Sequence, residues 1–331
     1  MAFRLWPGST KMKWAAGAVL TVALLIGGLY TGFDTNAFGP DKLCAGWLEA
    51  SDVQRVLDGP GRLSGSGTDT GCTVKKSGLA VGGDSSLTVQ LAAEPAQFPF
   101  AMGDWNVSAA QRLFTGRIGG GADRHGGWAL LPAACPVPAG VPSDRSDVRA
   151  AVLLSVSGGS ADEEAMVRLL TAAAESVAAR SGCGDSKGAP ARLAAPRAFG
   201  ADFTRLCALP GFSIPEVKGD RGQATRVQVT GDMGTAWTCD LSFADDKQGP
   251  YTRFAVVRDP LLGRSLSARG ASRLSCPAGG TSGDTFVTVD NNTYHWDPAQ
   301  RKAAGLLPEA ELHDRFARAV ARALHCSTAS H

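Results

Sequence analysis

Residues 148–183 read VRAAVLLSVSGGSADEEAMVRLLTAAAESVAARSGC, and this stretch decides the fold. Val148–Val156 is nearly continuous in apolar residues, as a central strand covered on both faces would be. Ser160 and Glu163 then stand at capping-box spacing, each side chain able to satisfy a backbone N–H at a helix start. Met166, Leu169, Leu170, Ala173 and Val177 follow at helical spacing and mark one apolar stripe. The helix is predicted to stop near Ser181-Gly182, and Cys183 follows at once. A strand feeding a one-faced helix buries that face against a sheet, which makes the class α+β with a mainly antiparallel sheet.

The same ending recurs at the other end of the chain. Phe286–Val289 reads as a strand, and Pro308 sits where helix first turns accept proline. Leu312, Phe316, Val320, Ala323 and Leu324 make the stripe, and Cys326 closes it. Further out, the eight cysteines split into two sets in matching contexts: Cys44, Cys72, Cys135 and Cys183, then Cys207, Cys239, Cys276 and Cys326. Leu-Cys-Ala recurs at Leu43–Ala45 and Leu206–Ala208, and Cys-Pro at Cys135 and Cys276. The pattern predicts a duplicated module, over 42–184 and 201–327, joined by a Gly/Ala/Pro-rich linker at 185–200.

Within the first module Ser51 is placed to cap a short helix carrying Val53, Val56 and Leu57. The Gly/Ser/Thr run up to Gly71 reads as a loop. Strands are expected from Cys72, over Ser86–Ala92, and from Trp128. Gly116–Gly127 reads as a glycine-rich connection. In the second module strands are expected at Ala224–Val229, Ala236–Phe243 and Arg253–Val257, besides Phe286–Val289.

Cysteines in an even number, none at C-x-x-C spacing, suit disulfides in an oxidising compartment better than a metal or a redox pair. Each set of four allows three pairings. The one most consistent with the duplication is Cys44–Cys72, Cys135–Cys183, Cys207–Cys239 and Cys276–Cys326, though the sequence alone does not fix it. Leu43-Cys44, Val53–Leu57, Gly59 and Cys72-Thr73-Val74 resemble the opening of a family of actinobacterial exported proteins, mostly lipoproteins, whose domain has no assigned function. Leu206-Cys207, Val217, Gly219 and Trp237-Thr238-Cys239 follow that outline more loosely. The family's Cys-x-Trp is Cys-Thr-Val in the first module, and the lipobox is absent. The resemblance implies a place outside the membrane and no activity.

The N-terminus agrees. Trp14–Phe33 is uncharged and long enough to cross a hydrocarbon core of ~30 Å at ~1.5 Å per residue. Arg4, Lys11 and Lys13 precede it, so residues 1–13 are expected in the cytoplasm and the bulk of the chain outside, as a single-pass signal anchor. The alternative is a secreted protein cleaved near Ala37. Beyond the span 30 basic residues face 31 acidic ones. No basic excess suits nucleic acid.

Catalytic patterns are absent: there is no G-x-S-x-G, no H-E-x-x-H and no G-x-x-x-x-G-K-[ST]. Ser155 and Ser157 read as strand end and turn. Asp123-Arg124-His125 in the glycine loop, and His295 with Asp297, are the places where an envelope hydrolase with a non-local site would be sought. Asp290-Asn291-Asn292 with Asp297 offers oxygen atoms for calcium, without EF-hand spacing. Asp245-Asp246 reads as a turn. His313 and His325 lie on the last helix, His325 beside its dipole's negative end, and His331 is terminal. Phe98, Phe100, Trp105 and Phe114 form an aromatic cluster, as a cover for the sheet edge or a contact surface. No catalytic residue, cofactor or metal is assigned. The function expected is binding or scaffolding at the cell envelope. The partner would be an envelope protein, a wall polymer or a small apolar ligand, met at a cleft or paired surface between the modules. The alternatives are that hydrolase, or a structural partner of a secretion or signalling complex.

Overall fold

The structure is a computed structural model. It describes residues 36, 39–57, 59–78, 85–95, 107–137, 140–141, 148–184, 192–219, 222–244, 250–263, 266, 271–276, 284–291 and 296–328. The expected tail and span, 1–13 and 14–33, lie outside these. Among the described residues no helix is long and apolar enough to cross a membrane.

The first half contains β1 (Lys42–Leu43), β2 (Leu48–Glu49), α1 (Ala50–Val56), β3 (Arg62–Gly67), β4 (Gly71–Ser77), β5 (Ser85–Pro95), β6 (Arg112–Thr115), β7 (Gly119–Ala122), β8 (Gly126–Leu130), β9 (Val148–Ser157) and α2 (Glu163–Arg180). Then come β10 (Arg192–Ala194) and β11 (Arg197–Gly200). The second half adds β12 (Thr225–Asp232), β13 (Ala236–Phe243), β14 (Thr252–Val257), α3 (Pro260–Gly263), β15 (Ser272–Ser275), β16 (Thr285–Asn291), α4 (Pro298–Ala303), α5 (Glu309–Ala323) and β17 (Ser327–Thr328).

Two large sheets result. One has the order β10-β6-β7-β8-β9-β5-β4-β3 and the other β11-β12-β13-β14-β16-β15-β17. Every pairing among the described strands is antiparallel. The run β3-β4-β5-β9-β8 matches β12-β13-β14-β16-β15 strand for strand, and the long helix follows β9 in one case and β16 in the other. Disulfides join Cys44–Cys72, Cys135–Cys183, Cys207–Cys239 and Cys276–Cys326, and no described cysteine is free.

The match extends to backbone detail. Cys44 and Ala45, and again Cys207 and Ala208, have positive φ, a conformation costly for residues with a Cβ. Both helices end in a Schellman turn. Cys183 N–H bonds to Ala178 O (3.0 Å), Cys326 N–H to Ala321 O (2.8 Å), and Gly182 and His325 occupy the left-handed position. His325 is therefore a helix-terminating residue in an unusual conformation, in addition to standing near the dipole's end.

Each long helix buries its stripe on one face of its own sheet. Met166, Leu169 and Leu170 pack with Val74, Val89 and Val152; Phe316 and Val320 pack with Trp237, Phe254 and Val287. The opposite faces meet each other. Leu113, Trp128, Leu130 and Ala151 of the first sheet form a third apolar core with Ala236, Val257, Leu262 and Leu266 of the second half. The layers run helix, sheet, sheet, helix, and apolar side chains fill the place where a cleft was expected.

Four local expectations are corrected. The cap of α2 is Asp162, whose carboxylate accepts Ala165 N–H at 2.9 Å. Ser160 is not the cap, because a carboxylate makes the stronger bond and Glu163 is drawn instead to Arg112 (2.8 Å) and Arg124 (3.5 Å). Likewise Glu49, not Ser51, occupies the N-cap of α1. The Gly/Ser run before Gly71 is not all loop: residues 62–67 form β3, held by pairing with β4 rather than by propensity. Within the linker, residues 192–194 and 197–200 are strands of the two different sheets, and Ala195-Pro196 makes the corner between them.

The glycine-rich stretch is the largest revision. Gly119–Ala122 is a buried strand with a neighbour on each side. A Cβ at Gly120 would lie 2.2 Å from Phe114 Cζ and 2.3 Å from Trp128 O, so only glycine lets Phe114 and β8 come so close.

Candidate functional site

The second half covers β6 to β9 and, at Ala92, the end of β5, but leaves the rest of that face of β3, β4 and β5 exposed or half-buried. Strand alternation places Ser64 and Ser66 on that face with Thr73, Lys75, Ser86, Thr88 and Gln90, and β9 adds Ser155 and Ser157. Ser64, Ser66, Lys75, Gln90, Ser155 and Ser157 are exposed, and Thr73, Ser86 and Thr88 half-buried. Thr73 and Thr88 share a hydroxyl–hydroxyl hydrogen bond of 3.2 Å. The result is a shelf of hydroxyl and amide groups with two cations, Lys75 and, at the start of β3, Arg62.

A recess of about 240 Å³ ends the shelf, lined by Thr70, Thr73, Thr88, Gln90, Leu91 and Val141 among others. A second, about 370 Å³, lies by the Cys44–Cys72 bridge, between Ala45 and the end of the β3–β4 hairpin. Such a surface can donate and accept hydrogen bonds with little charge.

A separate polar cluster lies where the sheets face each other. Arg253 grips Asp240 with two hydrogen bonds, Nε–Oδ1 2.6 Å and Nη2–Oδ2 2.9 Å. Asp240 Oδ2 also accepts Ala109 N–H at 3.0 Å and the Ser108 hydroxyl at 3.3 Å, both from the first half. Asp290 is the cross-strand neighbour of Arg253 on β16. Burial pushes the Asp290 carboxyl above its ordinary range, against the pull of Arg253 and with a push from Glu309 and Asp240.

The sequence candidates fall apart around these features. The Asp123 carboxylate accepts the backbone N–H groups of His125 (2.7 Å) and Gly126 (3.1 Å), closing the β7–β8 turn. It does not orient the exposed imidazole. Asp297 is the cap of α4 in a capping box with Gln300. Asp290 lies on a strand, and Asn291 Oδ1 accepts the Thr252 hydroxyl at 2.7 Å. These oxygens do not converge, and among the described residues no group of three metal-ligating side chains occurs. His313 Nε2 lies 3.3 Å from Val287 O, at the helix–sheet contact. Phe114 is buried beneath α2. Asp245, Asp246, Asn292, His295, His331, Phe98, Phe100 and Trp105 lie outside the described residues.

Sequence reading missed the shelf and the Asp240–Arg253 pair. The available signals were the polar positions of SLTVQLA and the lone aspartate in the strand AWTCDLSF. No protein-family model, curated protein or solved structure matches the chain.

Proposed function

We propose that this chain is an anchored extracytoplasmic binding or scaffold protein of the cell envelope, built by duplicating one disulfide-braced α+β module. The observation that carries the binding role is the open shelf of Ser64, Ser66, Thr73, Thr88 and Gln90. It is held rigid from behind by α2 and from the side by the third core. A hydroxyl-rich surface whose charges are confined to Arg62 and Lys75 suits a polyhydroxylated or amide-rich partner such as a wall polymer, because many hydrogen bonds can form across its uncharged middle. Residues 14–33 would hold it in the membrane with the N-terminus inside, and the four bridges fit an oxidising location.

Two experiments test this. Cells treated with external protease should lose the 42–327 part, and alkaline carbonate should leave the chain in the membrane. A soluble product starting near residue 38 would replace the anchor with secretion. Co-sedimentation with insoluble wall polymer should retain the purified chain, and Thr88→Glu with Gln90→Glu should release it. Equal retention of that variant would remove the shelf from the reading. Turnover of a substrate would argue for the enzyme instead.

A further inference from the structure

The shelf has a direction in charge. Ser77 is the Cα partner of Arg62 and Lys75 that of Ser64, so Arg62 and Lys75 are diagonal neighbours on one face, about 7–8 Å apart. Both are exposed, and neither makes a salt bridge with another described residue. Like charges so placed repel each other, and an anion between them relieves the repulsion.

Hydroxyl groups surround the pair. Ser64 and Ser86 flank Lys75 on the neighbouring strands, Ser77 stands across from Arg62, and Ser157 lies beyond Ser86 on β9. The other end of the shelf is acidic. Asp69 is exposed in the turn between β3 and β4, and Glu94 shares the face of β5 four positions past Gln90. Between the ends, Thr73, Thr88 and Gln90 carry no charge. Ser86 to Gln90 spans four residues of strand, about 13 Å, and ends at the recess by Thr70.

We propose that the shelf binds a polyol or sugar chain linked by phosphodiesters, with one phosphate over Arg62 and Lys75 and the chain's hydroxyls along Thr73, Thr88 and Gln90. A tetrahedral phosphate suits this pair better than a planar carboxylate. Its oxygens point in several directions, so one group can accept from the guanidinium, the ammonium and a serine hydroxyl together, whereas a carboxylate is matched by the guanidinium fork alone. Asp69 and Glu94 repel a second phosphate at the far end, which fixes the direction of the chain. The inference rests on the binding role of the shelf and adds the charge and orientation of its ligand.

The test pellets the full-length chain, in detergent, with insoluble wall polymer. Soluble poly(glycerol phosphate) should displace it, and polygalacturonate and uncharged dextran should do so only weakly. Arg62→Gln/Lys75→Gln should lower the affinity for poly(glycerol phosphate) by about fivefold, as two exposed ion pairs would, and remove most of its salt dependence. Its circular dichroism should match that of the wild type, since both side chains are exposed. Release of Thr88→Glu/Gln90→Glu from the wall polymer with full binding by Arg62→Gln/Lys75→Gln keeps the shelf and overturns the phosphate. A wild type that does not pellet overturns both. Displacement by polygalacturonate as readily as by poly(glycerol phosphate) overturns the choice of anion. Without polymer, Lys75 shielded from an amine-reactive reagent in phosphatidylglycerol discs and open to it in phosphatidylcholine discs assigns the cations to the membrane, and overturns the proposal as well.

Discussion

Asp240 and Arg253 form a two-pronged ion pair across β13 and β14, and Asp240 also accepts the backbone N–H of Ala109 from the other half of the molecule. One carboxylate therefore ties the second sheet to the segment ahead of β6 in the first half, at a buried point. Both side chains are almost fully enclosed, at 6% and 5% exposure. Breaking such a pair leaves a charge uncompensated in a low-dielectric site. Arg253→Met should cost about 3–5 kcal/mol in chemical denaturation. The double variant Asp240→Leu/Arg253→Met should cost less than Arg253→Met alone, because the Asp240 charge is no longer left unpaired and its repulsion of Asp290 is removed as well. A larger loss in the double variant would show that the bond to Ala109 outweighs the pair.

Asp290 supplies a pH dependence of the opposite sign to an ordinary carboxylate. Its folded carboxyl titrates above the unfolded value, mainly because burial penalises the charge. The group thus opposes folding at neutral pH, and the opposition fades as pH falls through its raised pKa. Asp290→Asn should be more stable than the wild type at pH 7, with the difference shrinking toward pH 4. Thermal melts across that range measure it, and a difference that grows in acid would contradict the sign.

The two glycines at the start of β7 separate packing from propensity. Gly120→Ala places a methyl group against Phe114 and the Trp128 carbonyl, and backbone cannot swing aside. It should cost about 2–3 kcal/mol. Gly119→Ala meets Leu262 at 3.4 Å, an ordinary contact, and should change stability by less than about 1 kcal/mol.

The paired left-handed residues predict gains. Ala45 and Ala208 are exposed and have φ of 53° and 56°. Replacing either by glycine removes a steric penalty while removing no buried contact. Each change should stabilise by about 0.5–1 kcal/mol. His325→Gly, at the corresponding place in the second Schellman turn, should behave likewise. Urea melts of the three variants decide this.

The bridges predict a larger loss. Cys135–Cys183 and Cys276–Cys326 close 48 and 50 residues. Replacing either pair by alanine should cost about 2–4 kcal/mol by freeing the unfolded chain. Peptide mapping without reductant should recover four cross-linked pairs, all within one half or the other.

The sequence alone determined the repeating features. Alternation in Ser86–Ala92 and the stripes of Met166 to Val177 and Leu312 to Val320 marked a strand and the two long helices correctly, because one-sided burial imprints a period on the chain. The pairing expected as most consistent with the duplication is the one the structure shows, and the structure settles it among the three that each set of four allows. Local chemistry was less legible. Asp123 and Asp297 have the composition of catalytic or metal-binding groups, and only their hydrogen bonds identify them as turn and cap residues.

Tertiary structure decided what neighbours impose. Gly119–Ala122 and Ser64–Gly67 have weak strand propensity of their own, and pairing with adjacent strands makes them β7 and β3. Only the tertiary structure shows that the sheets turn their remaining faces to each other over Leu113, Trp128, Val257 and Leu262. A period along one strand reports that a face is buried. It carries no information about which distant surface buries it, because that contact depends on how the two halves meet in space.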